Sequence, residues 1–224
     1  MSERKAIISK RNRRVAINRW QNAYSYKRAV IESNSNKKFN YSILLGFLAG
    51  DGSVQKRKTK SGFRYQVDFF PDDDYMLEIY LHCFNDLYKC YPTVKKHNNY
   101  YSVRISSNVI GKDLLDKCDL STNDWVIPEN IDIIFWLRAF YSCEAYVGKY
   151  IRLQTVNYCG MKSVSLFLDG LNVNHRFYSY DPGGANSKVY IIIIMRKKSI
   201  YRFSKLIGFF HARKETKLMQ ALHL

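Results

Sequence analysis

Two carboxylates in this chain stand where the backbone around them calls for a cation. Asp51 closes the apolar stretch Ser42 to Ser53, SILLGFLAGDGS, and Glu144 closes Ile131 to Tyr146, IDIIFWLRAFYSCEAY. Read as helices, both stretches put an acid at the negative end of the helix dipole, which costs roughly a few tenths to 1 kcal/mol unless a positive charge answers it. Both acids therefore read as metal ligands. Hard oxygen donors of this kind suit Mg2+, which one or two carboxylates hold together with substrate phosphates rather than in a full protein cage.

The same stretches carry the means to bring the acids together. Gly46 and Gly50 lie one turn apart in the first, Ala139 and Cys143 in the second, so each helix offers a shallow stripe along which another can approach closely. Aligning Gly46 with Ala139 and Gly50 with Cys143 brings Asp51 onto Glu144 without a gap. The chain reads as a duplicated unit.

The segments after each motif support duplication. Residues 53 to 70 read as a β-hairpin around Thr59 to Gly62, with Phe63, Tyr65, Val67 and Phe69 facing a core and Arg64, Gln66 and Asp68 on the other side. Tyr75 to Tyr88 reads as a helix with Met76, Ile79, Tyr80 and Phe84 as its buried stripe. A second hairpin joins Thr93 to His97 with the alternating Tyr101, Val103 and Ile105, and a short helix covers Gly111 to Cys118. After a connection through Pro128, the order recurs: a strand at Tyr150 to Thr155, a helix at Ser163 to Leu171, strands at Arg176 to Tyr180 and Val189 to Met195 about the turn DPGGANSK, and a closing helix at Ser199 to Phe209. The expectation is two antiparallel sheets side by side, each with one basic, polar face.

Composition narrows the partner. The 224 residues are 46% hydrophobic, enough for a substantial core, yet 36 Lys+Arg stand against 19 Asp+Glu, a formal charge of +17. Such an excess suits a surface that neutralises phosphates and makes binding salt-dependent. Eleven of those basic residues lie in Met1 to Lys38, which reads as a basic arm along a nucleic-acid backbone or a small docking helix. Five cysteines without a CxxC pair read as reduced thiols. A basic start without an apolar core, and no run of about 18 apolar residues, argue against a secretion signal and a membrane span. The histidines have neither zinc nor HNH-like spacing, and neither a Walker-type loop nor GxSxG is present.

LLGFLAGDG (Leu44 to Gly52) resembles the motif that names the LAGLIDADG homing endonucleases, and LRAFYSCEA (Leu137 to Ala145) resembles a degenerate second copy, as in the single-chain, two-motif members. The likeness runs from about Phe39 to the C-terminus. It implies an α+β fold of two pseudosymmetric αββαββα repeats, motif helices packed at the centre and two antiparallel sheets forming a DNA-binding saddle. The corresponding division is 1–38 as the basic extension, 39–118 and 131–224 as the repeats, and 119–130 as the linker.

That resemblance implies a site-specific double-strand DNA endonuclease, intron- or intein-derived, acting as a monomer in the cytoplasm or an organelle. Its target would be long and asymmetric, cut with a short 3′ overhang. Phosphodiester hydrolysis would use Mg2+ or Mn2+ on Asp51 and Glu144, with Ca2+ binding without cleavage. By position, Lys214 (with Arg213 second) matches the family's basic residue near the site, and Asn157 the residue that positions water. DNA contacts fall to Gln55, Arg57, Arg64, Gln66 and Asp68 on the first hairpin, where Arg and Gln can read guanine and adenine edges. Lys95 and Arg104 extend that face, and the second unit offers Tyr150, Arg152, Gln154, Arg176 and Lys188. Two departures stand out: the usual first acid is Ala49 in one motif and Ser142 in the other, and Ala139 and Ala145 replace glycines in the second. The alternatives are an intron RNA splicing factor and a DNA-binding protein of the same fold that does not cut.

Overall fold

The computed structural model describes residues 36–59, 62–118, 120, 125–183 and 187–223, so the basic arm through residue 35 and parts of two hairpin turns and of the linker lie outside the described residues. The first unit runs α1 (Asn36–Asp51), β1 (Gly52–Thr59), β2 (Gly62–Phe69), α2 (Asp74–Tyr88), β3 (Thr93–Lys96), β4 (Tyr101–Ser106) and α3 (Asn108–Lys117). The second runs α4 (Ile133–Glu144), β5 (Tyr146–Val147), β6 (Ile151–Thr155), α5 (Tyr158–Gly170), β7 (Arg176–Tyr180), β8 (Val189–Ile194) and α6 (Lys197–Leu206), followed by α7 (Ala212–His223). The order αββαββα thus occurs twice, with one helix added. The two four-stranded antiparallel sheets have matching orders, β1-β2-β4-β3 and β5-β6-β8-β7.

The motif helices α1 and α4 cross at the small residues that the alignment singled out. A Cβ on Gly46 would lie 2.5 Å from the Trp136 carbonyl oxygen and 2.9 Å from the Ala139 Cβ, and one on Gly50 would lie 2.4 Å from the Cys143 Cβ. Neither fits without moving a helix backbone. Gly50→Ala is therefore expected to destabilise the fold by about 1–3 kcal/mol, the usual cost of overpacking. Thermal unfolding of Gly50→Ala with and without Cys143→Gly checks this: the second change, which removes the opposing Cβ, recovers most of the loss.

Ser42 joins the helices at their other end, donating to the Lys38 carbonyl at 2.6 Å while accepting the Asp132 N–H at 2.7 Å. Asp132 in turn caps α4 by accepting from the Ile134 and Phe135 N–H groups. Around this axis one hydrophobic core runs through both units, from Ile43 and Phe47 in α1 through Trp136 and Phe140 in α4 to Phe203 and Leu218 near the C-terminus. All five cysteines are free, three of them buried. Among the described residues no helix is long and apolar enough to cross a membrane.

Several boundaries differ from those expected of the sequence. Helix α3 starts three residues early, because the Ser107 side chain accepts the Ile110 N–H and caps it. Helix α5 starts at Tyr158 rather than Ser163, capped by Asn157. Phe63 is 53% exposed rather than core, and the Lys56 Nζ covers its ring at 4.4 Å.

Candidate metal centre and nucleic-acid interface

Asp51 is the last residue of α1 and Glu144 the last of α4, so the crossing that buries Gly50 against Cys143 also brings the acids together. A Cβ at Gly50 would stand 3.7 Å from the Glu144 Cγ. A cavity of about 100 Å³ opens beside Glu144, lined also by Gly50, Gly52, Trp125 and Thr155 among others. Burial pushes the Asp51 carboxyl above its ordinary value, against the pull of Lys214 and a hydrogen bond from Cys143. Burial, reinforced by the Asp51 charge, raises Glu144 to about 7. Two half-buried acids whose burial hinders ionisation, one of them raised further by the charge of the other, are a donor set that a divalent cation would relieve. Among the described residues no group of three or more His, Cys, Asp or Glu side chains could hold an ion. Any ion here would rest on these two carboxylates and on ligands from water or substrate.

Lys214, in the first turn of α7, sits at the end of α4. Its Nζ donates to the Ser142 and Cys143 carbonyl oxygens, both at 2.7 Å. These are terminal carbonyls of α4 without helical partners, so the ammonium answers the negative end of the dipole directly. Burial lowers the Lys214 pKa, while Cys143, Asp51, Asp72 and Glu144 hold it up. The Ser142 hydroxyl, at the position of one missing acid, accepts the Phe210 N–H at 2.7 Å and donates to the Arg138 carbonyl at 2.6 Å. It anchors the segment that delivers Lys214.

A second cluster has no counterpart in the motifs. His211, buried just before α7, places its Nε2 3.3 Å from the Asp72 Oδ1 and its Nδ1 3.3 Å from the Asp73 Oδ2, the latter outside hydrogen-bond geometry. The hydrogen bond from His211 holds Asp72 below its ordinary value, and the charges of His211, Lys214 and Arg213 add to it. Arg213 also donates to the Asp72 backbone carbonyl at 3.1 Å. Helix α7 of the second unit is thereby pinned to the loop before α2 of the first. No local signal could have revealed it, because Arg213 and Asp72 are 141 residues apart.

Asn157, expected to position water, is engaged in the fold. It is 1% exposed; its Oδ1 accepts the Gly160 N–H at 2.8 Å, and its Nδ2 donates to the Trp125 carbonyl at 2.6 Å. It caps α5 and ties down the linker at Trp125. Asn157→Ala is expected to destabilise the fold by about 1–3 kcal/mol. Denaturant unfolding measures that loss, and catalysis per folded molecule should be unchanged.

The polar face of the first sheet is assembled by register. Gln55 pairs with Gln66, Arg57 with Arg64, Ser53 with Asp68, and Asp68 with Arg104. Lys95, opposite Ser102, continues the same side. Arg57 directly opposite Arg64 is a like-charge pair, which costs stability unless an anion lies across it. Asp68 is a correction: it is 3% exposed, ion-paired with the Arg104 Nε and accepting from the Gln66 Nε2 at 2.5 Å. Its carboxylate orients those donors and is not itself free to accept from a base.

On the second sheet Arg152, Gln154 and Arg176 share the corresponding face, while Tyr150 lies in the turn before β6. The Arg152 Nε is buried without a hydrogen-bond partner. Lys188 belongs elsewhere, with its Nζ 6.0 Å from the centre of the Tyr190 ring, which packs on Tyr158 of α5. Nor is this face polar throughout: Ile193 lies between Arg152 and Arg176, and Ile191 between Gln154 and Tyr178.

The fold has solved counterparts. The chain matches the homing endonuclease I-DmoI in complex with DNA and Ca at a TM-score of 0.63 and 19% identity, over 85% of this chain and 100% of that one. The complex of I-DmoI with DNA and Mn gives 0.57 at 20% identity, over 76% and 97%. The LAGLIDADG meganuclease I-AabMI bound to uncleaved DNA gives 0.51 at 15%, over 82% and 89%. The fold is that of the LAGLIDADG homing endonucleases.

No family model matches the chain. By sequence it is similar to a DNA polymerase of Methanocaldococcus jannaschii, 27% identical over 183 residues, and to one of Thermococcus kodakarensis, 24% over 184. Each match covers 77% of this chain but only 11% and 10% of the polymerase, so the chain spans about a tenth of the length of the curated relatives it matches.

Proposed function

We propose that the protein is a site-specific endonuclease that cuts both strands of a long, asymmetric DNA target as a pseudosymmetric monomer, with a divalent metal, Mg2+ foremost. The observation that carries the reading is the meeting of Asp51 and Glu144 at the ends of two crossing helices, between two sheets whose faces carry Arg, Lys and Gln. DNA in the complexes of I-DmoI and I-AabMI, with Mn or Ca in two of them, supports a duplex partner and a divalent ion. The likeness to a tenth of two polymerases supports a module that also occurs within longer host proteins, in keeping with an intron- or intein-derived enzyme of the cytoplasm or an organelle.

Each residue has a part in this reading. Asp51 and Glu144 would hold the metal, which when bound supplies an activated water and charge stabilisation at the leaving oxygen. Lys214 holds the end of α4 and lowers the proton affinity of both acids. Arg57, Arg64 and Lys95 neutralise backbone phosphates, and Gln55, Gln66 and Arg104 face base edges.

The test is selection of cleaved sites from a randomised duplex library with Mg2+, run beside Asp51→Asn. Recovery of one long site cut only by the unmodified protein is the expected result. An enriched bound sequence without cutting would make the protein a binder. Enrichment only of structured RNA would make it a splicing factor.

A further inference from the structure

The two sheet faces are built from different chemistry. In the first sheet one row across the strands reads Ser53, Asp68, Arg104, Thr93; the corresponding row of the second reads Tyr146, Arg152, Ile193, Arg176. Two residues earlier on the same central strand, β4 has Ser102 and β8 has Ile191. Strand β8 is apolar on both sides. Ile192 and Ile194 belong to the core, and because side chains alternate along a strand, Ile191 and Ile193 point the other way, Ile191 only 3% exposed and Ile193 part-exposed. The exposed rings of Tyr146, Tyr178 and Tyr180 share that side with them.

An aliphatic stripe flanked by Arg152, Gln154 and Arg176 in a groove for a polyanion needs an apolar feature on the ligand. In the major groove of DNA only thymine offers one, its 5-methyl group, which uracil in RNA lacks. We infer that the two halves of the target are read differently: the half under the first sheet by hydrogen bonds, and the half under the second by contact of the part-exposed Ile193 with thymine methyls. This rests on the endonuclease reading and deepens it. It makes the second half-site richer in thymine, and it makes this face discriminate against RNA.

The test replaces the thymines of the selected target by deoxyuridine one at a time, which deletes the methyl and keeps every hydrogen-bonding group. Affinity is measured with the full chain carrying Asp51→Asn. Repeating the selection with Gln66→Ala, a base-facing residue of the first sheet, and with Ile193→Ser shows which half each sheet contacts. One or more substitutions under the second sheet should weaken binding about fourfold, the worth of one buried methyl. None under the first sheet should do so, and Ile193→Ser should abolish the effect at its own position. Equal sensitivity in both halves, or none in the second, overturns the inference while leaving the endonuclease intact. Failure to select any duplex overturns the endonuclease reading and this inference with it.

Discussion

Asp51→Asn and Glu144→Gln each lower cleavage of the selected target by at least about a thousandfold, because losing a ligand removes several kcal/mol of stabilisation at about 1.4 kcal/mol per tenfold. Binding stays within roughly tenfold, since neither carboxylate contacts phosphate without a cation between them. Single-turnover cleavage and a parallel binding isotherm separate the two quantities; equal loss of both would refute the assignment. The same variants report on the fold. Burial and the Asp51 charge raise Glu144 from its ordinary 4.5 to about 7. Between those values the folded chain keeps a proton that the unfolded chain has released, so stability falls as pH rises through this window and stays low above it. The penalty above pH 7 is on the order of 3–4 kcal/mol at about 1.4 kcal/mol per unit. Glu144→Gln removes it. Without added metal at pH 8 its melting temperature should rise by roughly 5–10 °C, and at pH 4 it should not. A variant that loses activity and gains stability in that pH-dependent way is a signature of a charge held for function.

Lys214→Met should cost cleavage about a hundredfold or more, the usual worth of a positioned charge beside the reacting groups. A merely structural lysine would be indistinguishable by rate alone, so the pH profile is the deciding readout. Lys214 lowers the proton affinity of both Asp51 and Glu144. With subsaturating metal, cleavage by the unmodified protein should rise through about pH 7 as Glu144 loses its proton. In Lys214→Met that limb moves to higher pH, because the ammonium that favoured the ionised acids is gone. Lys214→Arg, which keeps the charge, should leave the limb near its original place even if the rate falls. An unshifted limb in Lys214→Met would reduce Lys214 to a clamp on the Ser142 and Cys143 carbonyls.

The motif helices, the glycines at their crossing and the two acids at their ends were legible in the sequence alone. Each is a local statement: an apolar run long enough for a helix, small residues one turn apart, and a carboxylate after the last turn. The repeated order of elements was legible for the same reason, since hydrophobic period and turn residues recur in both units. Lys214 and the shared polar face of Arg57, Gln66 and Arg104 were within reach of the sequence and its family resemblance, but their partners were not. That Lys214 closes the end of α4, that His211 pins α7 to Asp72 and Asp73, and that Asn157 spends both ends of its amide on a cap and on the Trp125 carbonyl all depend on which distant segments pack together. The apolar side of β8 was hidden for another reason. A run of four isoleucines has no alternation, so period cannot say which two face the core. Register with β6 and β7 decided it: pairing placed Ile191, itself buried, and the part-exposed Ile193 among arginine, glutamine and tyrosine, and sent Ile192 and Ile194 into the core.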